Sequence, residues 1–370
     1  MKISKILVKT KSKSYPVYVG NGILSSAGIL IKKNVPNAKK ISIICDKGVP
    51  NRLLKKLQKS LRKFNPKTYK FLANEKSKNF KTINKMVEIL LKDNLSRSDC
   101  VVAFGGGIIG DITAFASSIT KRGIKFINIP TTLLAQVDSS IGGKTGANSN
   151  YGKNLIGTFY QPEFVLTDVS TLNSLSKRQI ICGYGEILKH SLILDKKFFL
   201  WLSKNAGLII NNKNNKILKS AIIKSCMIKS KVVSRDENEK DLRKILNFGH
   251  TFAHGFEAAK NFSNKLNHGE AVLLGMITAA ELSYMKKLLN KKDLELIKKH
   301  YLNFSLPYKV SKFFKRKEIE KISKFMKRDK KNISDKINLI LIKKIGKIVE
   351  PNKINLKVVE IKKFLRKAYN

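Results

Sequence analysis

Three of the chain's five histidines, His250, His254 and His268, lie within 19 residues of one another. The first two belong to Asn247-Phe248-Gly249-His250-Thr251-Phe252-Ala253-His254, and their i,i+4 spacing puts both on one face of a helix. His268 precedes Gly269-Glu270 at the start of the next helical pattern. Two imidazoles and one carboxylate form a known ligand set for catalytic zinc, with a coordination position left open for substrate. The best carboxylate is Glu186, in Gly183-Tyr184-Gly185-Glu186-Ile187-Leu188-Lys189-His190. An acid on an otherwise apolar helix needs a reason, because burying an unpaired charge is costly. Glu257 and Glu270 are rival ligands, and a simple pairing of Glu186 with Lys189 three residues on is the structural alternative.

A second chemistry is written between Asp99 and Asn154. An apolar run, Val101-Val102-Ala103-Phe104, leads into Gly105-Gly106-Gly107-Ile108-Ile109-Gly110-Asp111 and then a helical pattern from Ile112 to Ile119. Next comes Phe126-Ile127-Asn128-Ile129, closing in Pro130-Thr131-Thr132, then Asp138-Ser139-Ser140-Ile141-Gly142-Gly143-Lys144-Thr145-Gly146, and then Gly152-Lys153-Asn154. Glycine lets backbone amides approach phosphate oxygens, a helix N-terminus adds partial positive charge, and lysine adds full charges. The first turn fits G-x-G-x-x-G at Gly105, Gly107 and Gly110, yet Pro130 lies near where the usual acidic residue is expected. A tight turn without a ligand is the plain alternative for the first turn alone; the second glycine turn weighs against it.

These motifs need elements to hold them. Residues 3–8 and 15–19 read as a strand pair, 22–33 as a helix, and 40–45 as a buried strand closing on Asp46. A helix over 51–63, a strand over 68–72 and a helix over 82–95 follow, with further strands at 100–104, 125–129 and 164–167. Strands alternating with helices imply a parallel sheet covered on both faces, with ligands beyond the carboxyl ends of its strands. Asp46 stands at such an end, as a ribose acceptor or as a helix N-cap. From Leu175 onward the β signal fades into helical patterns at 177–203, 217–235, 242–262 and 269–289, and 337–342 is one short apolar run. The reading is an α/β domain over 1–175 and a helical domain over 176–370, with 235–240 a charged turn.

The chain carries 74 Lys and Arg against 26 Asp and Glu, a formal net charge of +48. Only 10 of the 74 are Arg, and the lysines are spread over helical faces instead of gathered in one arm. That pattern suits anionic small substrates and argues against a dedicated nucleic-acid surface, where Arg forks and clustered patches are expected. Four scattered cysteines without C-x-x-C read as buried thiols in a reducing compartment. With no signal peptide and no apolar run of membrane-spanning length, the expectation is a soluble cytoplasmic protein.

Taken together the motifs resemble the sugar-phosphate cyclases of the dehydroquinate synthase family, within a fold family that includes glycerol dehydrogenase and iron-dependent alcohol dehydrogenases. The resemblance rests on Gly105–Asp111, Pro130–Ser140, Gly142–Gly146, Gly152–Asn154, Phe159-Tyr160-Gln161-Pro162, Glu186–Lys189, Asn247–His254 and His268–Glu270. It implies a Rossmann-like NAD-binding α/β domain, an all-α metal-binding domain, an active site in the cleft between them, and a homodimer. By the same resemblance Glu186, His250 and His268 hold the metal, zinc or cobalt, with His254 beside the substrate. NAD falls to Glu75, Lys78, Gly107, Ile108, Ile109, Gly110, Asp111, Thr131, Thr132, Lys144, Lys153, Thr171, Leu172, Asn173 and Ser174, with Asp46 the ribose candidate. The substrate, a small anionic sugar phosphate, meets Asp138, Lys144, Asn154, Lys189, Lys229, Arg243, Asn247 and Lys330 or Lys331, and Arg122 reaches its phosphate from the neighbouring subunit. The implied activity is conversion of DAHP to 3-dehydroquinate and phosphate. A metal-dependent NAD dehydrogenase, or a cyclase acting on another sugar phosphate, is the alternative. Two departures stand out: Asn74-Glu75 where the family usually has Gly-Glu, and Gly185 where it commonly has Ala.

Overall fold

The computed structural model describes residues 2–327 and 336–369. In chain order the first elements are β1 (Ser4–Lys9), β2 (Ser14–Gly20), α1 (Ala27–Asn34), β3 (Ile41–Asp46), α2 (Asn51–Leu61), β4 (Lys67–Phe71) and α3 (Phe80–Lys92). They continue through β5 (Cys100–Gly105), α4 (Gly107–Ile119), β6 (Lys125–Pro130), β7 (Ala147–Ser149), β8 (Gly152–Ile156) and β9 (Phe164–Asp168). Seven strands form one sheet in the order β1-β2-β9-β6-β5-β3-β4. Every pair is parallel except β1 with β2. Strand β5 shows why both faces are covered: Val101 and Ala103 belong to one core with α3 and α4, while Val102 and Phe104 belong to the other with α1 and α2. Side chains alternate across a strand, so a continuous apolar run is what a doubly covered strand requires.

The chain leaves β3 towards β4 on one side, and β5 lies on the other. In such sheets the crevice beyond the strand ends opens where the order reverses, and Asp46 and Gly105 are the terminal residues of those two strands.

The remaining elements are α5 (Lys177–Leu194), α6 (Lys196–Ile210), α7 (Asn215–Arg235), α8 (His250–Ala259), α9 (His268–Met285), α10 (Lys291–Asn303) and α11 (Glu318–Lys327). After them come β10 (Lys336–Asn338), β11 (Ile342–Lys344), β12 (Lys347–Ile348), β13 (Asn355–Lys357) and α12 (Val358–Tyr369). The chain divides into two compact units, residues 1–180 with 212–238, and residues 181–211 with 239–370. The sequence reading placed everything after 175 in the second domain; here α7 returns to the first, packing on β1 and β2. Its apolar face (Leu218, Ala221, Ile222, Val232, Val233) is buried, and no periodicity in a helix says which unit it docks against.

The second unit is helical but not all-α. The run at 337–342 opens two antiparallel ribbons, β10 with β13 and β11 with β12. Helix α9 is buried on nearly every side, which makes it the unit's central element. Two patterns that read as single helices are broken. Asp195 caps a new helix by accepting from Phe198 N at 2.8 Å, and Gly249, at φ +80°, separates the 3-10 turn Leu242–Asn247 from α8.

Candidate active site

Helix α4 starts at Gly107, so the glycine motif is itself the first turn of the helix. Its first amides have no acceptor within the helix and carry the positive end of the helix dipole. Gly106 offers no side-chain cap to cover them, which suits an anion approaching the backbone. The glycines are needed for packing as well. A Cβ on Gly105 would lie 2.9 Å from the Cβ of Asp46, and one on Gly110 would lie 3.1 Å from Asn128 Nδ2.

Around this turn a chain of polar contacts joins segments far apart in sequence. Lys78 Nζ pairs with Asp111 Oδ2 at 2.5 Å and donates to Asn154 Oδ1 at 2.6 Å. Asn154 N donates to Asn148 Oδ1 at 3.0 Å, and Asn148 Nδ2 donates to Glu75 Oε2 at 2.9 Å. Lys153 Nζ lies 3.5 Å from Glu75. Burial pushes the Asp111 carboxyl up, and Lys78 pulls against it. Asn74, the departure from the family's glycine, does not need a glycine's backbone: its φ is not positive, and its side chain accepts from Ser77 N at 2.8 Å.

Asp46 is not a helix N-cap. Pro50 occupies that position for α2, and Asp46 Oδ1 instead accepts from Gly48 N at 2.9 Å, while burial pushes its carboxyl up. Thr131 N donates to Gly105 O at 2.9 Å, binding the end of β6 to the glycine turn. Thr132 Oγ1 accepts from Ala135 N at the entry to a π-helical turn, Ala135–Ser139, a local geometry common at functional sites. That turn presents Asp138, which pairs with Lys229 at 2.8 Å; Lys229 also donates to the Asp138 carbonyl at 2.6 Å.

Gln136 was missed as a site organiser. It is fully buried, and its Nε2 lies 3.0–3.1 Å from Pro130 O, Asp168 O and Thr171 Oγ1. It therefore ties the ends of β6 and β9 to the turn Val169–Ser174, which holds Thr171, Leu172, Asn173 and Ser174. The available signal was an amide inside the apolar run Leu133-Leu134-Ala135-Gln136-Val137. Arg122 sits in a short turn where it and Lys121 both take left-handed backbone, φ +62° and +49°.

In the second unit, Glu186 comes from the middle of α5, while His250 and His268 are the first residues of α8 and α9. Close packing brings these helices together. A Cβ on Gly269 would collide with the backbone of Cys182, and one on Gly275 with the carbonyl of Gly249. Glu186, His250 and His268 each offer one ligand atom, and the three atoms lie within 4.8 Å of one another.

The outer contacts suit a cation. His250 Nδ1 lies 3.3 Å from Phe248 O, and His268 Nδ1 lies 3.2 Å from Glu257 Oε2. With Nδ1–H donating in each ring, Nε2 keeps its lone pair for a metal, and a carboxylate behind the imidazole raises its basicity. Glu257, a rival ligand in the sequence, thus stands behind His268. The other rival, Glu270, caps α9 by accepting from Asn267 N at 3.0 Å. Lys189 contacts Glu186 Oε2, while Oε1 lies 3.7 Å from His250 Nε2. The two readings of Glu186 are therefore compatible.

The His254 ring lies one turn beyond His250, with centroids 5.8 Å apart. Arg243 is 1% exposed, and Asn247 Nδ2 donates to Glu239 Oε1 at 2.7 Å. The sequence reading passed over Glu239 as part of a charged turn. Lys331 and its neighbour Lys330 lie outside the described residues. Three of the four cysteines (Cys45, Cys100 and Cys226) are buried, with their thiols pushed up to about 12, but Cys182 is only half-buried. Among the described residues no helix is long and apolar enough to cross a membrane.

Comparison with known proteins bears on both halves of this chemistry. The family models described as 3-dehydroquinate synthase N-terminal and 3-dehydroquinate synthase C-terminal match residues 68–182 and 183–332. A 3-dehydroquinate synthase of Pelagibacter ubique is 51% identical over 367 residues, 99% of each chain. A 2-deoxy-scyllo-inosose synthase solved with carbaglucose-6-phosphate, NAD+ and Co2+ superimposes with TM-score 0.86 at 26% identity, covering 98% of this chain and 99% of its own. A 2-epi-5-epi-valiolone synthase from Streptomyces hygroscopicus subsp. jinggangensis, with NAD+ and Zn2+ bound, gives 0.82 at 25% identity, covering 100% and 99%.

Proposed function

The chain belongs to the 3-dehydroquinate synthase family, and from that premise we propose that it converts DAHP to 3-dehydroquinate and inorganic phosphate. It is a phosphorus–oxygen lyase of the shikimate pathway, serving aromatic amino acid biosynthesis, with NAD and a divalent metal, zinc or cobalt, as cofactors. One hydroxyl of the substrate is oxidised and later re-reduced, and phosphate is lost by β-elimination in between. Ring opening and an intramolecular aldol closure then form the carbocycle, so the net reaction is not redox.

The observation that supports this reading best is the convergence of Glu186, His250 and His268 within 4.8 Å, each imidazole backed by an acceptor at Nδ1. When bound, NAD accepts and returns the hydride, and the metal acts as a Lewis acid towards adjacent substrate oxygens. The chain's own residues do the rest. The first turn of α4, with Asp46, Glu75, Lys78, Asp111, Thr131, Thr132, Lys153 and the turn at 171–174, holds the nucleotide. Lys144, Asn154, Lys229, Arg243, Asn247, His254 and Asp138 orient the substrate, and the cations among them balance its phosphate and carboxylate. Lys189 and Lys144 stand closest to the chemistry. Lys189 is buried against Glu186, so Lys189→Met strips a charge that a neutral pocket cannot replace. Turnover then falls about a hundredfold; wild-type turnover would remove Lys189 from this role. The chain works as a cytoplasmic homodimer in which Arg122 completes the neighbouring subunit's phosphate site.

A plain NAD dehydrogenase of the same fold needs fewer cations than the buried Lys189, Lys229 and Arg243 supply. The deciding experiment mixes purified protein, NAD, Zn2+ or Co2+, and DAHP. Phosphate release without net NADH is expected, and NADH accumulation without phosphate would favour the dehydrogenase.

A further inference from the structure

The stretch 235–240, a charged turn in the sequence reading, contains a carboxylate that is 7% exposed: Glu237. A buried carboxylate must be hydrogen-bonded or it destabilises the fold. Glu237 accepts from Ser12 N at 3.0 Å, from Ser12 Oγ, and from Gln161 Nε2 at 2.7 Å. Burial alone would push this carboxyl up; the bonds from Ser12 and Gln161 outweigh it and hold it below the usual range.

Gln161, itself 6% exposed, lies directly against Gly143: the three atoms nearest to a Cβ built there all belong to its amide, at 2.5–2.6 Å. Gly142 and Gly143 both have left-handed backbone, φ +99° and +66°. The turn they make is gripped from several sides. Gly142 N donates to Tyr15 OH at 3.0 Å, Tyr160 N donates to Gly143 O at 2.7 Å, and Lys144 bridges to Phe159. The segment ending at Gln161 is thus the bed on which Gly142–Lys144 lies. Glu237 fixes the far end of that bed to the β1–β2 turn.

We propose that Glu237, acting through Gln161, is a positioning residue for the Gly142-Gly143-Lys144 turn and so for the Lys144 ammonium. The inference rests on the role given to Lys144 above. It needs no contact between Glu237 and any ligand. Both carboxylate oxygens are needed: an amide in its place keeps one acceptor and turns its NH2 either on Ser12 N or on Ser12 Oγ and Gln161 Nε2, so at least one of these bonds is lost.

The test uses the full-length enzyme with NAD and metal. Phosphate-release kinetics are measured for Glu237→Gln, Lys144→Met and the double variant, with hydrogen exchange across residues 142–146. Glu237→Gln should lower kcat/KM about tenfold and speed exchange at 142–146. The double variant should be no worse than Lys144→Met, since both changes act at one point. Gln161→Ala, which leaves both Ser12 contacts to Glu237 in place, should reproduce the faster exchange if Glu237→Gln folds poorly. Unchanged exchange at 142–146 in the folded variants, or a loss additive with Lys144→Met, overturns the proposal. If Lys144→Met alone keeps wild-type turnover, the substrate role of Lys144 fails, and the exchange measurement alone decides whether Glu237 holds the turn.

Discussion

At the turn after β5 the groups offered to a ligand are amides, and the side chains that matter most are those that are missing. Gly105, Gly107 and Gly110 each sit where an added Cβ would come within 2.8–3.1 Å of a neighbour. Around α5, α8 and α9 the reverse holds. There the atoms that could hold a metal are on Glu186, His250 and His268, and glycine brings the helices close. A site made of main chain is broken by adding atoms; a site made of side chains is broken by removing them. The two units should therefore fail in opposite ways, each losing its own cofactor first.

The largest effect is expected at the side-chain site. Glu186→Ala removes the one carboxylate of the proposed metal ligands and leaves Lys189 buried without it. Turnover should drop at least about a thousandfold and metal should be lost on dialysis, while NAD affinity stays within about twofold. Metal analysis and phosphate release check this, and retained metal would show that another donor set binds it.

A second, slightly smaller effect belongs to the packing behind that site. His300 is 2% exposed, 2.7 Å from Tyr184 OH and stacked against its ring, and burial pulls its pKa from 6.5 to about 4. The folded chain keeps this imidazole neutral, whereas the unfolded chain protonates it near 6.5. The stability it contributes is complete above that value and is lost as pH falls towards 4, about 3 kcal/mol over the window. Urea unfolding at pH 7, 5.5 and 4.5 should show this slope, and His300→Gln should flatten it. An unchanged slope in the variant would assign the acid sensitivity to other groups.

How much of each region could be read in advance follows from the same contrast. Strands β3, β5 and β6 fall within a residue of their expected positions because a doubly covered strand is nearly all apolar, Ser42 and Asn128 being the buried exceptions, and the ends are marked by Asp46, Gly105 and Pro130. The helical half was less legible. Apolar periodicity runs through Asp195 and Gly249 unbroken, yet a cap and a left-handed residue end helices there. Nothing in α7 announces that it packs on β1. The metal-binding candidates were visible because His and Glu are rare on apolar helices. Glu237 and Gln136 were not, since they bond to distant segments, and Glu239 was not, because an acidic residue in a charged turn ordinarily meets water.

The main-chain site gives the third test. Gly105→Ala brings a Cβ to 2.9 Å from that of Asp46 and 3.0 Å from that of Ile109, and neither of those atoms can swing aside. Overpacking of this kind costs about 1–3 kcal/mol and tilts the first turn of α4. NAD affinity, followed by fluorescence or calorimetry, should fall about tenfold with metal content unchanged. Loss of metal with NAD binding intact would invert the assignment of the two cofactors to the two regions.

Gly185→Ala should have the smallest effect and sharpens the comparison most finely, because it adds an atom at the side-chain site, where additions are expected to matter little. Gly185 lies inside α5 next to Glu186. Replacing a mid-helix glycine with alanine favours the helix by up to about 1 kcal/mol. The new Cβ would sit 3.2 Å from Leu273 Cγ and 3.3 Å from Gly269 O. The leucine side chain can shift by a few tenths of an ångström, but the carbonyl belongs to the first turn of α9, whose leading residue is His268. The gain and the crowding nearly cancel, so the unfolding midpoint should move by less than about 1 kcal/mol equivalent and turnover should stay within about twofold. If metal affinity falls instead, Gly269 cannot yield. The spacing of α5 and α9 would then be part of the ligand geometry, and the second unit would depend on its backbone as closely as the first.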